Sequence, residues 1–272
     1  MALRAGAAPA ERGVTPQFIQ AFLSAGAGTL VGCTLGLIGG GGSVLGVPLM
    51  VYFVRVADPH VAIGTSALGV AVNAVLSLAQ HARAGSVKWR CGALYATAGV
   101  IGAWLGSSLG KIVDGQRLLF LFALVMIAIG VVMLRRRGDP GEPGAECTVE
   151  TAPKVLGYGL VTGLFSGFFG IGGGFLIVPG LLRSTGMPMI NAVGTSLVAV
   201  TAFGLTTTLN YASSGLIDWS LAAAFIGGGF VGSALGARVA RRLARETGRL
   251  AILFAMIVFG VAIYMLAQTA CV

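Results

Sequence analysis

Acidic side chains are scarce in this sequence and stand away from its apolar segments. Only nine Asp and Glu occur in 272 residues. All of them, Glu11, Asp58, Asp114, Asp139, Glu142, Glu146, Glu150, Asp218 and Glu246, fall in expected loops or at segment ends. A carboxylate in mid-membrane marks proton relays and cation pathways, so its absence argues against both and favours an anion as cargo. Cysteine is as sparse. Cys33, Cys91, Cys147 and Cys271 share no metal-like spacing and lie in different segments, so neither a metal cage nor a disulfide framework is expected. Cys33 reads as a small packing residue. No HExxH and no pair of intramembrane carboxylates is present, which argues against an intramembrane enzyme. The opening sixteen residues, MALRAGAAPAERGVTP, have no apolar core of the kind a secretory signal needs.

What the chain has in abundance is apolar length. Hydrophobic residues make up 56% of it, charged ones 10%, and the mean hydropathy is +0.91. Segments 18–38, 61–80, 91–110, 118–134, 155–182, 189–212, 217–237 and 249–268 are mostly near the ~20 residues that cross a bilayer as a helix. They lack the period-2 alternation of an outer-membrane barrel. The fold class is therefore all-α, a polytopic membrane protein in the lipid bilayer. The net charge of +9 comes from 18 basic residues scattered over short loops. That pattern fits membrane topology, and no nucleic-acid partner is expected.

The chain also repeats itself. LGLIGGGGSVLGVP at 35–48 aligns with SGFFGIGGGFLIVP at 166–179 at an offset of 131. At an offset of 130, Gly64-Thr65-Ser66 falls on Gly194-Thr195-Ser196, Gly85 on Gly215, Trp89 on Trp219, and Gly99, Gly102 and Gly106 on Gly229, Gly232 and Gly236. The organisation read from this is an N-terminal tail 1–16, a first transmembrane repeat 17–138, a linker 139–153 rich in Pro, Gly and charge, and a second repeat 154–272.

Lys and Arg then separate two topologies. If all eight segments cross, nine basic residues lie on each side. If instead the first segment of each half is a hairpin that turns at its glycines, one side holds Arg83, Lys88, Arg90, Arg135, Arg136, Arg137, Lys154, Arg183, Arg238, Arg241, Arg242, Arg245 and Arg249. The other keeps Arg4, Arg12, Arg55, Lys111 and Arg117, so the ratio is thirteen to five. Only the hairpin topology shows a positive-inside bias. It makes the halves inverted repeats, each with a glycine-tipped broken helix plus about three crossing helices, as in many secondary transporters. The linker 135–154 is then cytoplasmic and the termini are outside, in a multi-pass plasma-membrane protein. Phe18 to Ile38 is long enough to cross, and its early residues would have to tilt or lie at the interface.

Backbone that turns inside a bilayer survives only where it faces protein, water or a ligand. Glycine lets a ligand approach that backbone. The second arm, beginning near Ser43 or Gly174, offers free N–H groups and the positive end of a helix dipole. The anion site expected here comprises Gly40, Gly41, Gly42 and Ser43 with Ile171, Gly172, Gly173 and Gly174, helped by the hydroxyls of Thr65, Ser66, Thr195 and Ser196. The competing reading of those hydroxyls is back-bonding to a carbonyl one turn earlier. Gly99, Gly102, Gly106, Gly229, Gly232 and Gly236 read instead as helix-packing positions. Asn73 and Asn210 read as interhelical glue. His81 is the candidate for proton handling, against the plainer reading of a solvated loop histidine.

The paired glycine hairpins, the GTS triplets, and GSVKW at 85–89 with GLIDW at 215–219 resemble the sulfite exporter TauE/SafE family of membrane permeases over about 18–268. The resemblance implies a plasma-membrane secondary transporter, not an enzyme, that moves sulfite or a small organosulfonate, commonly as export. It implies no cofactor. Protons or sodium are the coupling ions to consider, and homo-oligomers are compatible with it. A passive anion channel, or a permease for a non-sulfur organic anion, would use the same glycine site. The acidic-Trp pair is kept at Asp218-Trp219, whereas the first half has Lys88-Trp89.

Overall fold

The computed structural model describes residues 14–135, 147, 150–172, 174–243, 256, 258–265 and 267. The elements run α1 (Val14–Ile38), a 3-10 stretch (Gly39–Leu45), α2 (Gly46–Pro48) continuing as a π turn (Leu49–Phe53), α3 (Pro59–Arg83), α4 (Trp89–Gly110) and α5 (Gly115–Arg135). The second half follows as α6 (Ala152–Phe169), α7 (Gly174–Thr185), α8 (Met189–Ala212) and α9 (Trp219–Leu243), with a further helical stretch at 258–265. Among the described residues, Phe18–Phe53, Pro59–Arg83, Met189–Ala212 and Trp219–Gly236 are long and apolar enough to cross a membrane. The protein is all-helical in these parts, as expected of a polytopic membrane protein.

Both broken helices stop at the same glycine. Gly39 has φ 67° and Gly170 has φ 66°, the left-handed conformation that ends a helix with little cost only in glycine. After α6 the Gly170 N–H donates to Gly167 O at 3.1 Å and the Ile171 N–H to Ser166 O at 3.2 Å, the paired bonds of a Schellman stop. The return arms differ. α7 begins at Gly174 and carries Pro179 inside it, whereas the first half tightens into a 3-10 stretch before reaching Pro48. The expectation that the first return arm starts near Ser43 is corrected, since α-helical geometry resumes at Gly46. Pro48 has no N–H to give, and the helix widens into its π turn directly after it.

Small residues set how the helices approach. A Cβ on Gly28 or Gly32 would run into the carbonyl of Phe225 or Gly229, and one on Gly232 or Gly236 into that of Thr29 or Cys33. The seam recurs between α6 and α4, where Gly159 and Gly163 meet the carbonyls of Tyr95 and Gly99, and Gly102 and Gly106 those of Leu160 and Leu164. Gly99, Gly102, Gly106, Gly229, Gly232 and Gly236 are thus packing positions as expected. The register makes α1 parallel to α9 and α6 parallel to α4. Gly64 against Tyr211 and Gly204 against Ala71 make α3 and α8 antiparallel.

These directions define two faces. Face A holds the starts of α3, α5 and α9, with Gly115 against Pro59 and the Asp218 N–H donating to Thr65 Oγ1 at 3.0 Å. Face B holds the starts of α4 and α8, where the Lys88 N–H donates to Thr195 Oγ1 at 2.9 Å. Trp89 and Trp219 open equivalent helices at opposite faces and are 56% and 65% exposed, the placement of interfacial aromatic anchors. One bond was not foreseen: Cys91, at the start of α4 on face B, is joined to Cys147 of the linker, with Cα atoms 5.4 Å apart. The expectation of no disulfide is corrected. The two cysteines lie 56 residues apart in no recognisable motif, and only the fold brings them together.

Candidate functional site

The return arms of the two hairpins meet in the interior. A Cβ on Gly40 would fall 2.8 Å from Gly174 Cα, and one on Gly174 would run into Gly40 O, so only glycine allows this crossing. A chain of hydrogen bonds ties the contact together. The Gly40 N–H donates to Ser196 Oγ at 3.1 Å, and Ser196 Oγ–H donates to Val193 O at 2.7 Å. On the other side the Gly174 N–H donates to Ser43 Oγ at 3.1 Å, and Ser43 Oγ–H donates to Gly40 O at 2.9 Å. Gly172, with φ 65°, faces Val70 and Val200 beside them. Ser43, Ser196, Gly40 and Gly174 are all buried.

Of the residues expected at the site, the structure brings together Gly40, Ser43, Gly172, Gly174 and Ser196. The turns themselves lie apart: Gly39 approaches Val193 and Gly170 approaches Ile63, equivalent positions in α8 and α3, so the hairpins pass each other before their return arms touch. Gly41 is buried in the 3-10 stretch. Gly42 packs on Thr34 and Leu35 of its own half, and the Ile171 N–H is spent on the helix stop. Gly173 lies outside the described residues. Ser66 donates to Ile63 O at 3.0 Å and packs beside Gly46. Thr65 and Thr195 point away from the crossing, because each hydroxyl accepts the first N–H of a helix entry in the opposite half.

His81 is not a solvated loop histidine. It is 6% exposed at the end of α3, with Nδ1 3.1 Å from Ser86 Oγ and Nε2 3.3 Å from Gly36 O. Asn210 is interhelical glue: its Nδ2 donates to Ser107 Oγ at 2.6 Å and Ser108 Oγ at 2.9 Å, and its Oδ1 accepts from Lys111 Nζ at 2.7 Å. Asn73 is not, since neither end of its buried amide has a partner. Lys111, absent from the expected site, also donates to Asn210 O and Ser214 Oγ. Its signal in the sequence was only that it ends α4 as a lone cation near face A.

The crossing is uncharged, and its backbone and hydroxyl donors are paired among themselves. Four described carboxylates sit at the faces, and three of them cap helix starts: Asp58 accepts from the His60 N–H at 2.8 Å, Asp114 from Gln116 at 3.1 Å, and Asp218 from Ser220 at 3.0 Å. Asp218 caps α9 with its side chain, whereas Lys88 makes no such cap on α4, which is the structural content of the Asp-Trp and Lys-Trp asymmetry. α7 directs its N-terminus at the crossing through Gly174. Backbone N–H groups and hydroxyls converge there, and among the described residues no carboxylate lies beside them, an arrangement suited to a small anion. A recess of about 250 Å³ between the first return arm and 258–265 is lined by Leu45, Pro48, Tyr52 and Tyr264 among others. It is apolar and does not include these groups.

Long apolar helices with backbone breaks around a neutral, polar interior are those of a multi-pass membrane protein. Residues 24–265 match the sequence model of the family described as Sulfite exporter TauE/SafE, and the chain belongs to that family of membrane transporters. A "Probable membrane transporter protein" of Xylella fastidiosa is 50% identical over 242 residues, covering 89% of this chain and 93% of that protein. The "Probable membrane transporter protein YunE" of Bacillus subtilis is 27% identical over 241 residues, covering 81% and 88%. A probable membrane transporter protein of Methanocaldococcus jannaschii is 28% identical, covering 68% and 69%. No solved structure matches the chain.

Proposed function

We propose that the protein is a secondary transporter that exports a small sulfur-containing anion, sulfite or an organosulfonate, across the plasma membrane by alternating access. The observation that carries this reading is the contact of Gly40 with Gly174, where two tip N–H groups are held by the uncharged oxygens of Ser196 and Ser43. A serine oxygen is a replaceable acceptor. An oxyanion in its place would make charge-assisted bonds, roughly twice as strong as neutral ones, while the serine hydroxyl turns to donate to it. The family's name supports the sulfur-anion class.

An inverted-repeat architecture is supported by the reciprocal contacts: each first helix lies parallel to the Trp-led helix of the other half, α1 with α9 and α6 with α4, and Thr65 and Thr195 serve opposite faces. The charge ratio assigns face B to the cytoplasm. The Cys91–Cys147 bond on face B argues the other way, because cytoplasmic thiols are kept reduced, and so gives an independent check of that assignment. With face B inside, alkylation of whole cells followed by a mass-tag assay captures both cysteines as thiols. With face B outside, neither is captured.

Transport is tested in proteoliposomes loaded with radiolabelled sulfite. Ser43→Ala and Ser196→Ala, which keep the backbone contact, are expected to weaken apparent substrate affinity about tenfold each, or ~1.4 kcal/mol. Unchanged flux in both variants would remove the crossing as the binding site.

A further inference from the structure

A second polar array lies between the crossing and face B, at the seam of α3 with α9. Phe225 fills the space over Gly69, and the Asn73 amide lies against Gly229. Carried one turn further in the same parallel register, Ser77 comes opposite Ser233. Asn73 Oδ1 and Nδ2, Ser77 Oγ and Ser233 Oγ are all buried and all without a hydrogen-bond partner, and each of these residues is 0% exposed. His81 follows Ser77 one turn later on α3 and closes the row at face B through Ser86 and Gly36 O.

Unpartnered polar atoms in a membrane interior are costly and seldom kept without a ligand or water to satisfy them. One such atom is a packing accident, but four converging from two helices in one register are not. The equivalent seam of α8 with α4 is interrupted. Phe203 stands where Asn73 does and lies over Gly99, while Ala103 stands where Ser233 does. Phe203 is also stacked on Tyr95 at 6.4 Å. Thr207 and Tyr211, the counterparts of Ser77 and His81, have unpartnered hydroxyls as well, but Phe203 separates them from the crossing.

We propose that the α3–α9 seam is the aqueous half-pathway between the hairpin crossing and face B. In this structure it is closed. When α9, locked to α1 by the glycine seam, moves away from α3, water enters, and Asn73, Ser77 and Ser233 offer a hydrogen-bonding lining to a small hydrated oxyanion. His81 forms the mouth. This inference deepens the transport reading above and rests on it for the identity of the cargo.

The test is thiol accessibility in a variant whose four native cysteines are replaced, carrying Ser77→Cys or Ser233→Cys, each close to isosteric. A membrane-impermeant cationic thiosulfonate is applied to each side of sealed vesicles. Ala84→Cys reports face B and Ser213→Cys face A, and Ala103→Cys is the interior control. Ser77→Cys and Ser233→Cys are expected to react from face B about tenfold or more faster than Ala103→Cys, since thiol reactivity follows access. Methanesulfonate, a sulfonate inert to the reagent, is expected to slow that reaction. Labelling no faster than Ala103→Cys, with the Ala84→Cys reporter reacting normally, would overturn the proposal. Labelling needs no transport, so its failure is distinct from that of the binding site, which is read by the flux of Ser43→Ala and Ser196→Ala.

Discussion

At equivalent points of the two halves, Asn73 of α3 lies against Gly229 of α9, and Phe203 of α8 lies against Gly99 of α4. The backbones do the same thing in both places: a glycine admits a side chain from the neighbouring helix. The side chains do not. One is a polar amide without a partner and the other an aromatic ring in a stack. Comparison of the two seams shows which features the duplication preserves, namely glycine contacts and helix stops, and which have diverged. Backbone approach is governed by carbonyls in glycine notches, which tolerate almost no change. A side chain over a notch is free to vary so long as its volume fits.

The most severe way to break the comparison is to fill the shared notches. Gly32→Val and Gly163→Val each drive a side chain into a backbone carbonyl, and both are expected to abolish folded protein, beyond the ~1–3 kcal/mol of ordinary overpacking. Size-exclusion profiles in detergent check this, and survival of one variant alone would mean that the seams are not equivalent. Exchange of chemistry comes next. Phe203→Asn is expected to cost about 3 kcal/mol or more, because it leaves a cavity and an unpartnered amide. Asn73→Leu is expected to stabilise the closed state by ~1 kcal/mol or more, since it removes one. Thermal midpoints of the two variants should therefore shift in opposite directions. The smallest effect concerns the loop before each middle helix. Arg55, with φ 61°, occupies the position held by Gly186, with φ 70°, in the second half. Arg55→Gly is expected to relieve ~1 kcal/mol of left-handed strain, and Gly186→Ala to impose a similar cost, both read by thermal shift.

Much of this frame was legible in the sequence because duplication writes each structural need twice. Gly39 with Gly170 and Gly85 with Gly215 recur at fixed offsets, and each pair shares a positive φ. The crossing was partly legible for the same reason: Gly40, Ser43, Gly174 and Ser196 belong to repeated motifs. Thr65 and Thr195 belong to repeated motifs too, yet repetition alone does not say whether a hydroxyl faces the centre or caps a helix of the other half. Contacts made once were silent. Asn73 meets a glycine 156 positions away, and Cys91 meets Cys147 across a linker, and no local periodicity encodes either. His81 looked solvated because it ends a helix next to Arg83. Its burial comes from the C-terminal end of α1, a neighbour that the hairpin topology alone does not supply.

The glycine seams also say something about the machine's moving parts. α1 sits in the notches of α9, and α6 in those of α4, with carbonyl oxygens meshed at every turn. Helices so joined resist sliding and move as single levers. Each pair takes one helix from either half of the chain, so the units held together by the seams cut across the sequence repeats. The sequence repeats a part twice, but the tightest helix pairs are hybrids of the two copies, and among the described residues neither half forms such a pair by itself.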